Sequence, residues 1–175
     1  MAMGFTSKNL KLNYSQFPSS TATNFYLLQD FGGGGDGRVW LACSTNGNVC
    51  VIKFLHETKN GKDILEQEKN IWICIWNLPA RVVQLFDQHA LIIPYVETNP
   101  ENVSDTKKIQ STKSAIEKLA KGGFIHNDLH WRHVGFYNKE EEIQAVLFDL
   151  VRVSIADPLY YEKNVEIMLS QLNIK

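Results

Sequence analysis

The chain has 175 residues, enough for one domain or two tightly joined lobes. Hydrophobic residues at 44% supply a core, while 21% charged residues and a net charge of −1 give no bulk attraction to nucleic acid or to an anionic membrane. Three cysteines without metal-type spacing, Cys43, Cys50 and Cys74, argue against a disulfide framework and a zinc site and read as buried thiols in a reducing compartment. The first twenty residues lack an apolar stretch of leader length, and the run Ile71–Trp76 is too short to span a bilayer, so a cytoplasmic location is expected.

Residues 1–23 are polar and Ser/Thr-rich and read as a lead-in. From Phe25 to Leu55 apolar segments alternate with Gly and Asn, which predicts three strands joined by the glycine run and by a turn at Thr45-Asn46-Gly47-Asn48. The period then changes: Ile64, Leu65, Glu68, Ile71, Trp72 and Ile75 recur at helical spacing over 62–76, ended by Asn77-Leu78-Pro79. Two short strands follow around Asp87-Gln88-His89, and Thr98-Asn99-Pro100 breaks the chain. A helix over 105–121 stops at Gly122-Gly123. Short strands are expected around Phe124-Ile125, Val134–Phe136 and Ala145–Phe148, then a last helix over 160–172. Strands and helices segregated in this way predict an α+β fold.

Four positions stand out first. Gly32, Gly34, Gly37 and Val39 fit G-x-G-x-x-G-x-V, in which glycines let backbone N–H groups approach phosphate oxygens; a four-glycine run also serves as a flexible linker. Sixteen residues beyond Gly37 stands Lys53, closing Cys50-Val51-Ile52-Lys53. Strand alternation puts Val51 and Lys53 on one face. Here the sequence resembles the protein-kinase-like superfamily, whose third strand carries V-A-I-K. Farther on, His126-Asn127-Asp128-Leu129-His130-Trp131-Arg132-His133 resembles the H-R-D-L-x-x-x-N loop, and Val146–Leu150 resembles the strand that leads into D-F-G. The motifs occur in the family's order over residues 24–155.

The resemblance implies a two-lobed fold: an upper lobe over 24–96 with a five-stranded antiparallel sheet and one helix, and a reduced helical lower lobe over 97–175. It implies ATP and magnesium as cofactors. Lys53 would neutralise the α- and β-phosphates and pair with Glu68, which fits the helix-to-strand spacing better than Glu66. Val39 and Val51 would cover the adenine, Ile93 would be the gatekeeper, and Tyr95 and Val96 would face the base edge, with Val96 as donor because Pro94 has no N–H. Asp128 would take the proton of the acceptor hydroxyl, and Asp149 would bind the metal.

The sequence also departs from that pattern. Asn127 replaces the arginine of H-R-D, and His133 occupies the place of the metal-binding asparagine, which implies one magnesium or a manganese preference. Val151 replaces the D-F-G glycine, and Gly135 stands where a large aliphatic residue usually lies beneath the base. Asn164 in the last helix is the candidate anchor of the catalytic loop. The leading expectation is a phosphotransferase acting on a hydroxyl of a protein or small molecule. The alternative is a pseudokinase that binds nucleotide or serves as an interaction module. Neither nucleic acid nor membrane is an expected partner, and a second copy or another protein would complete the short lower lobe.

Overall fold

The computed structural model describes residues 24–33, 37–45, 47–56, 60–85, 87–98, 103–140 and 142–174. The lead-in, Gly34, Asn46 and the pair Asn99-Pro100 lie outside them. The fold is α+β. Strands β1 (Phe25–Gly33), β2 (Gly37–Ser44) and β3 (Val49–Leu55) precede helix α1 (Gly61–Trp76), and β4 (Arg81–Leu85) and β5 (Gln88–Pro94) follow it. Together they form an antiparallel five-stranded sheet in the order β1-β2-β3-β5-β4. Next come β6 (Glu97–Thr98), α2 (Thr106–Lys121), β7 (Phe124–His126), β8 (Val134–Lys139), β9 (Glu142–Leu147), β10 (Val153–Ile155) and α3 (Tyr161–Gln171). A three-stranded sheet β6-β8-β9 and a two-stranded pair β10-β7 complete the described residues. The two-residue β6 and the short β10 had no sequence signal of their own; each exists because a partner strand supplies its ladder.

Local chemistry explains the helix boundaries. Helix α1 ends at Asn77, a left-handed residue (φ 54°) whose N–H returns to the carbonyl of Ile73 at 3.0 Å. Asp105 caps α2 by accepting from the N–H groups of Lys107 and Lys108, while Lys118 and Lys121 face the negative end of its dipole. Gly123, at φ +81°, turns the chain out of α2 into β7.

The sheet separates two apolar clusters. The larger joins Leu65, Trp72 and Ile75 of α1 to Val51, Leu91 and Ile93 of the sheet, and continues through α2, β8, β9 and α3. The smaller, on the opposite face, holds Ala42, Cys50, Ile52, Ala90 and Ile92. Of the three thiols, Cys50 is buried, and burial pushes its pKa up to about 12; Cys74 is exposed on α1, against the expectation that all three are buried. Among the described residues no helix is long and apolar enough to cross a membrane.

Gly37 is required by packing where β2 leaves the glycine run. A Cβ there would overlap the carbonyl oxygen of Phe54 and come within 2.9 Å of the Leu55 Cα, both backbone atoms of β3. Gly37→Ala is therefore expected to cost roughly 2 kcal/mol or more, because β2 must separate from β3 to admit one methyl group. A lowered urea midpoint at an unchanged slope would register it; an unchanged midpoint would show that the strand ends yield freely.

Candidate functional site

Strand register sets the first half of the site. Val39 lies opposite Lys53, and Val51 lies opposite Ile93, so Val39, Val51, Lys53 and Ile93 share the sheet face that carries α1. Lys53 is 8% exposed despite its charge. Its Nζ lies 3.1 and 3.0 Å from the two carboxylate oxygens of Glu68, and 2.9 Å from Oδ1 of Asp149, which is 96 residues away in sequence. Glu68 sits on the buried face of α1, and the N–H of Leu150 also donates to its carboxylate. Glu66 pairs instead with Lys69 at the surface.

Electrostatics follow from burial. Desolvation alone would favour a neutral amine at Lys53, but the two carboxylates outweigh it and raise its pKa above the ordinary value. At Glu68 burial prevails and pushes the carboxyl up, against the pull of the ammonium. Asp149 is less enclosed: desolvation would raise it, yet the Lys53 ammonium holds it below the ordinary carboxylate value.

The second half is a loop between β7 and β8. His126 is fully buried. Its Nε2 donates to the carbonyl of Phe148 at 2.9 Å, and its Nδ1 accepts from the N–H of Asp128 at 3.2 Å. Burial lowers its pKa, so the ring is neutral. The Phe148 N–H donates to the carbonyl of His133 at 2.7 Å, and the Arg152 N–H to that of Asp149 at 3.0 Å. Asp149 is thus fixed from both sides, in a left-handed conformation (φ 55°) that positions its side chain toward Lys53. The charges of Asp128 and Asp149 both act on His126.

Each remaining expected residue has a definite place. The Asp128 carboxylate is half-exposed, with Nε2 of His130 at 2.9 Å from its Oδ1. His133 offers no spare ring nitrogen for a metal: Nδ1 donates to the Asp128 carbonyl at 2.8 Å, and Nε2 accepts from Nε of Arg132 at 3.1 Å. Burial lowers its pKa and keeps it neutral. Among the described residues no group of three or more His, Cys, Asp or Glu is arranged to hold a metal ion. Gly32 adopts φ +96°, and its N–H donates to the Asp30 carboxylate at 2.8 Å rather than pointing outward. Tyr95 stacks on Phe31 of β1, with ring centroids 6.5 Å apart, and Val96 is buried beside Gly135. A cavity of about 410 Å³ lies elsewhere, lined by Trp40, Phe54 and Arg38, and shares none of these residues.

Three contributions escaped the sequence reading. Gln171, not Asn164, anchors the loop: its Oε1 accepts from the N–H of Leu129, and its Nε2 donates to the His126 carbonyl at 3.2 Å. The two positions are seven residues apart on α3 and share a face, which is the signal that could have found it. Asn127 donates its amide to the Arg152 carbonyl at 2.9 Å and to Ser154 Oγ at 3.1 Å, closing the β7–β10 pair. Phe148 stacks on Trp72 of α1, with centroids 5.8 Å apart.

Two measurements check this account. Lys53→Met strands the carboxylate of Glu68 in the core and is expected to cost about 3–5 kcal/mol, whereas Lys53→Met/Glu68→Leu recovers most of that loss. Chemical denaturation of the two single variants and the double decides it; simple additivity would refute the pairing. The second concerns acid. Because the Asp149 pKa is lowered from 3.8, its ionised form contributes stability above 3.8, and that contribution is lost as pH falls below it. Asp149→Asn should flatten the acid limb of the stability profile in that window and leave its shape at pH 6–8 unchanged.

No curated protein matches the chain. A family model described as a family of unknown function, DUF5898, matches residues 30–137, a span that holds Lys53, Glu68 and Asp128 and stops short of Asp149. That match covers more than half of the sequence, and the chain belongs to this family.

Proposed function

We propose that the chain is a divergent kinase-like phosphotransferase that uses ATP and a divalent cation, with residues 24–96 as the upper lobe and 97–175 as a reduced lower lobe. The observation that carries this reading is the Lys53 ammonium held between Glu68 and Asp149, two carboxylates from distant parts of the chain. A buried amine in that position is a preformed counter-charge for phosphate oxygens, and its pairing with α1 fixes its direction. Asp149, the more exposed of the two carboxylates on Lys53, is a hard oxygen donor of the kind magnesium or manganese takes and would hold the ion. When bound, the ion would supply charge neutralisation on the phosphates.

The chain's own residues then have distinct tasks. Lys53 orients the α- and β-phosphates. Val39, Val51 and Ile93 provide the apolar wall against the base, beside Tyr95 and Val96. Asp128 receives the proton of the acceptor hydroxyl as its oxygen bonds to the γ-phosphorus, and the β–γ bridging oxygen leaves with ADP. His130, hydrogen-bonded to Asp128, orients that carboxylate. The acceptor is a hydroxyl of a protein or small molecule.

A second reading rests on His133. With both ring nitrogens engaged it leaves a single metal-binding side chain, which favours a pseudokinase that binds nucleotide without turnover. One experiment addresses both. Purified chain is titrated with ATP in the presence of Mg²⁺ or Mn²⁺, followed by ADP release with a panel of hydroxyl acceptors. The phosphotransferase reading requires that Asp128→Ala lower turnover by at least 100-fold while nucleotide affinity stays within about threefold. Binding with no turnover in the wild type selects the nucleotide-binding pseudokinase, and no binding with either metal rejects nucleotide use and leaves the interaction module.

A further inference from the structure

The sheet also carries a cavity on the face turned away from α1. Alternation along β3 directs Lys53 toward the helix and Phe54 to the opposite side, where it packs on the cluster of Cys50 and Ile52. Register sets Arg38 opposite Phe54 and Trp40 opposite Ile52, so these two side chains of β2 share the outer face. There a cavity of about 410 Å³ is lined by Leu27, Arg38, Trp40, Phe54, His56 and Gln88.

Its chemistry is divided. Trp40 and Phe54 are half-buried and give aromatic walls, whereas Arg38, His56 and Gln88 are exposed and give a polar rim. None of the described residues that line it carries a carboxylate. Near the rim Asp30 meets the Arg38 guanidinium at 3.9 Å, the outer limit of an ion pair, and the Arg38 side chain stays 62% exposed. Oδ1 of Asp30 is engaged by the N–H of Gly32 at 2.8 Å. An exposed pair at that distance contributes little, and one long contact does not saturate the five donors of a guanidinium.

We propose that this cavity binds a small aromatic carboxylate, with its ring against Trp40 and Phe54 and its carboxylate on Arg38. The volume is that of a small-molecule site, and apolar walls with a few placed polar groups are the usual construction of one. A planar carboxylate matches the paired N–H groups of arginine, and an aromatic body gains more from aromatic walls than an aliphatic chain does. Lys53 projects to the other face of the same strand, so this site is independent of the nucleotide reading.

The test titrates the full chain by calorimetry and by backbone amide NMR shifts. The probes are naphthoate, its neutral counterpart naphthalenemethanol, and acetate, which has the head without the ring. Naphthoate should bind with a dissociation constant of about 0.1–1 mM, and naphthalenemethanol and acetate about tenfold or more weakly. Arg38→Gln should weaken naphthoate about tenfold and leave naphthalenemethanol within about twofold. Gln88→Glu, which sets a carboxylate in the rim, should also weaken naphthoate several-fold and spare the neutral ring. Both positions are exposed, so neither variant threatens the fold. Excess ATP with Mg²⁺ should leave naphthoate binding unchanged. Equal naphthoate affinity in wild type and Arg38→Gln, equal loss of both ring probes in that variant, or displacement by ATP overturns the proposal. So does a wild type that fails to bind naphthoate at about 5 mM.

Discussion

The site depends on one buried ammonium. Placing the Lys53 amine in an apolar core costs several kcal/mol, and that cost is offset only if anionic partners reach it with good geometry. Glu68 reaches it because α1 turns its one buried carboxylate toward β3, and Asp149 reaches it because the chain bends at a left-handed residue. The register of β3, the rotation of α1 and the conformation after β9 are therefore fixed together by three side chains. Shifting β3 by one residue would put Ile52 in the place of Lys53 and leave both carboxylates without a partner.

The loop that carries Asp128 is held differently, by neutral groups. His126 gives one nitrogen to the carbonyl of Phe148 and takes the N–H of Asp128 with the other, so a single imidazole ties the loop to the segment holding Asp149. Gln171 performs the same double task from α3, and Asn127 does so toward β10. Each of these side chains has both a donor and an acceptor and needs no change of protonation to use them. The last helix therefore serves the site as a support, through an amide near its C-terminus.

This division explains what could be read from the sequence. The five-stranded sheet, α1, α2 and α3 follow from periodicity and caps, because each is decided by residues within one element. Lys53 and Glu68 were legible because alternation and helical spacing place them on inward faces before any tertiary contact is known. The expectation of Asn164 as the loop anchor chose the right face of α3 and the wrong turn, since the depth at which the helix meets the loop is a tertiary quantity. His133 reads as a potential ligand from its residue type, yet the carbonyl of Asp128 and the guanidinium of Arg132 take its two nitrogens, and neither partner is signalled by spacing. Gly135 was noted as a missing aliphatic residue. That Phe148 fills the vacated volume depends on two segments crossing, which no local pattern encodes.

Charge balance gives the last constraint. Around Lys53 stand the carboxylates of Glu68 and Asp149, while burial keeps His126 and His133 neutral. Two carboxylates against one ammonium leave no surplus positive charge at that point. A triphosphate brought into such a field is repelled unless positive charge enters with it, because like charges at these separations are strongly unfavourable outside bulk water. On the proposed reading a divalent cation is thus an electrostatic condition for nucleotide entry before it is an aid to transfer. Asp149, whose carboxylate is shared with Lys53 and is the more accessible of that amine's two partners, is the group best placed to receive it.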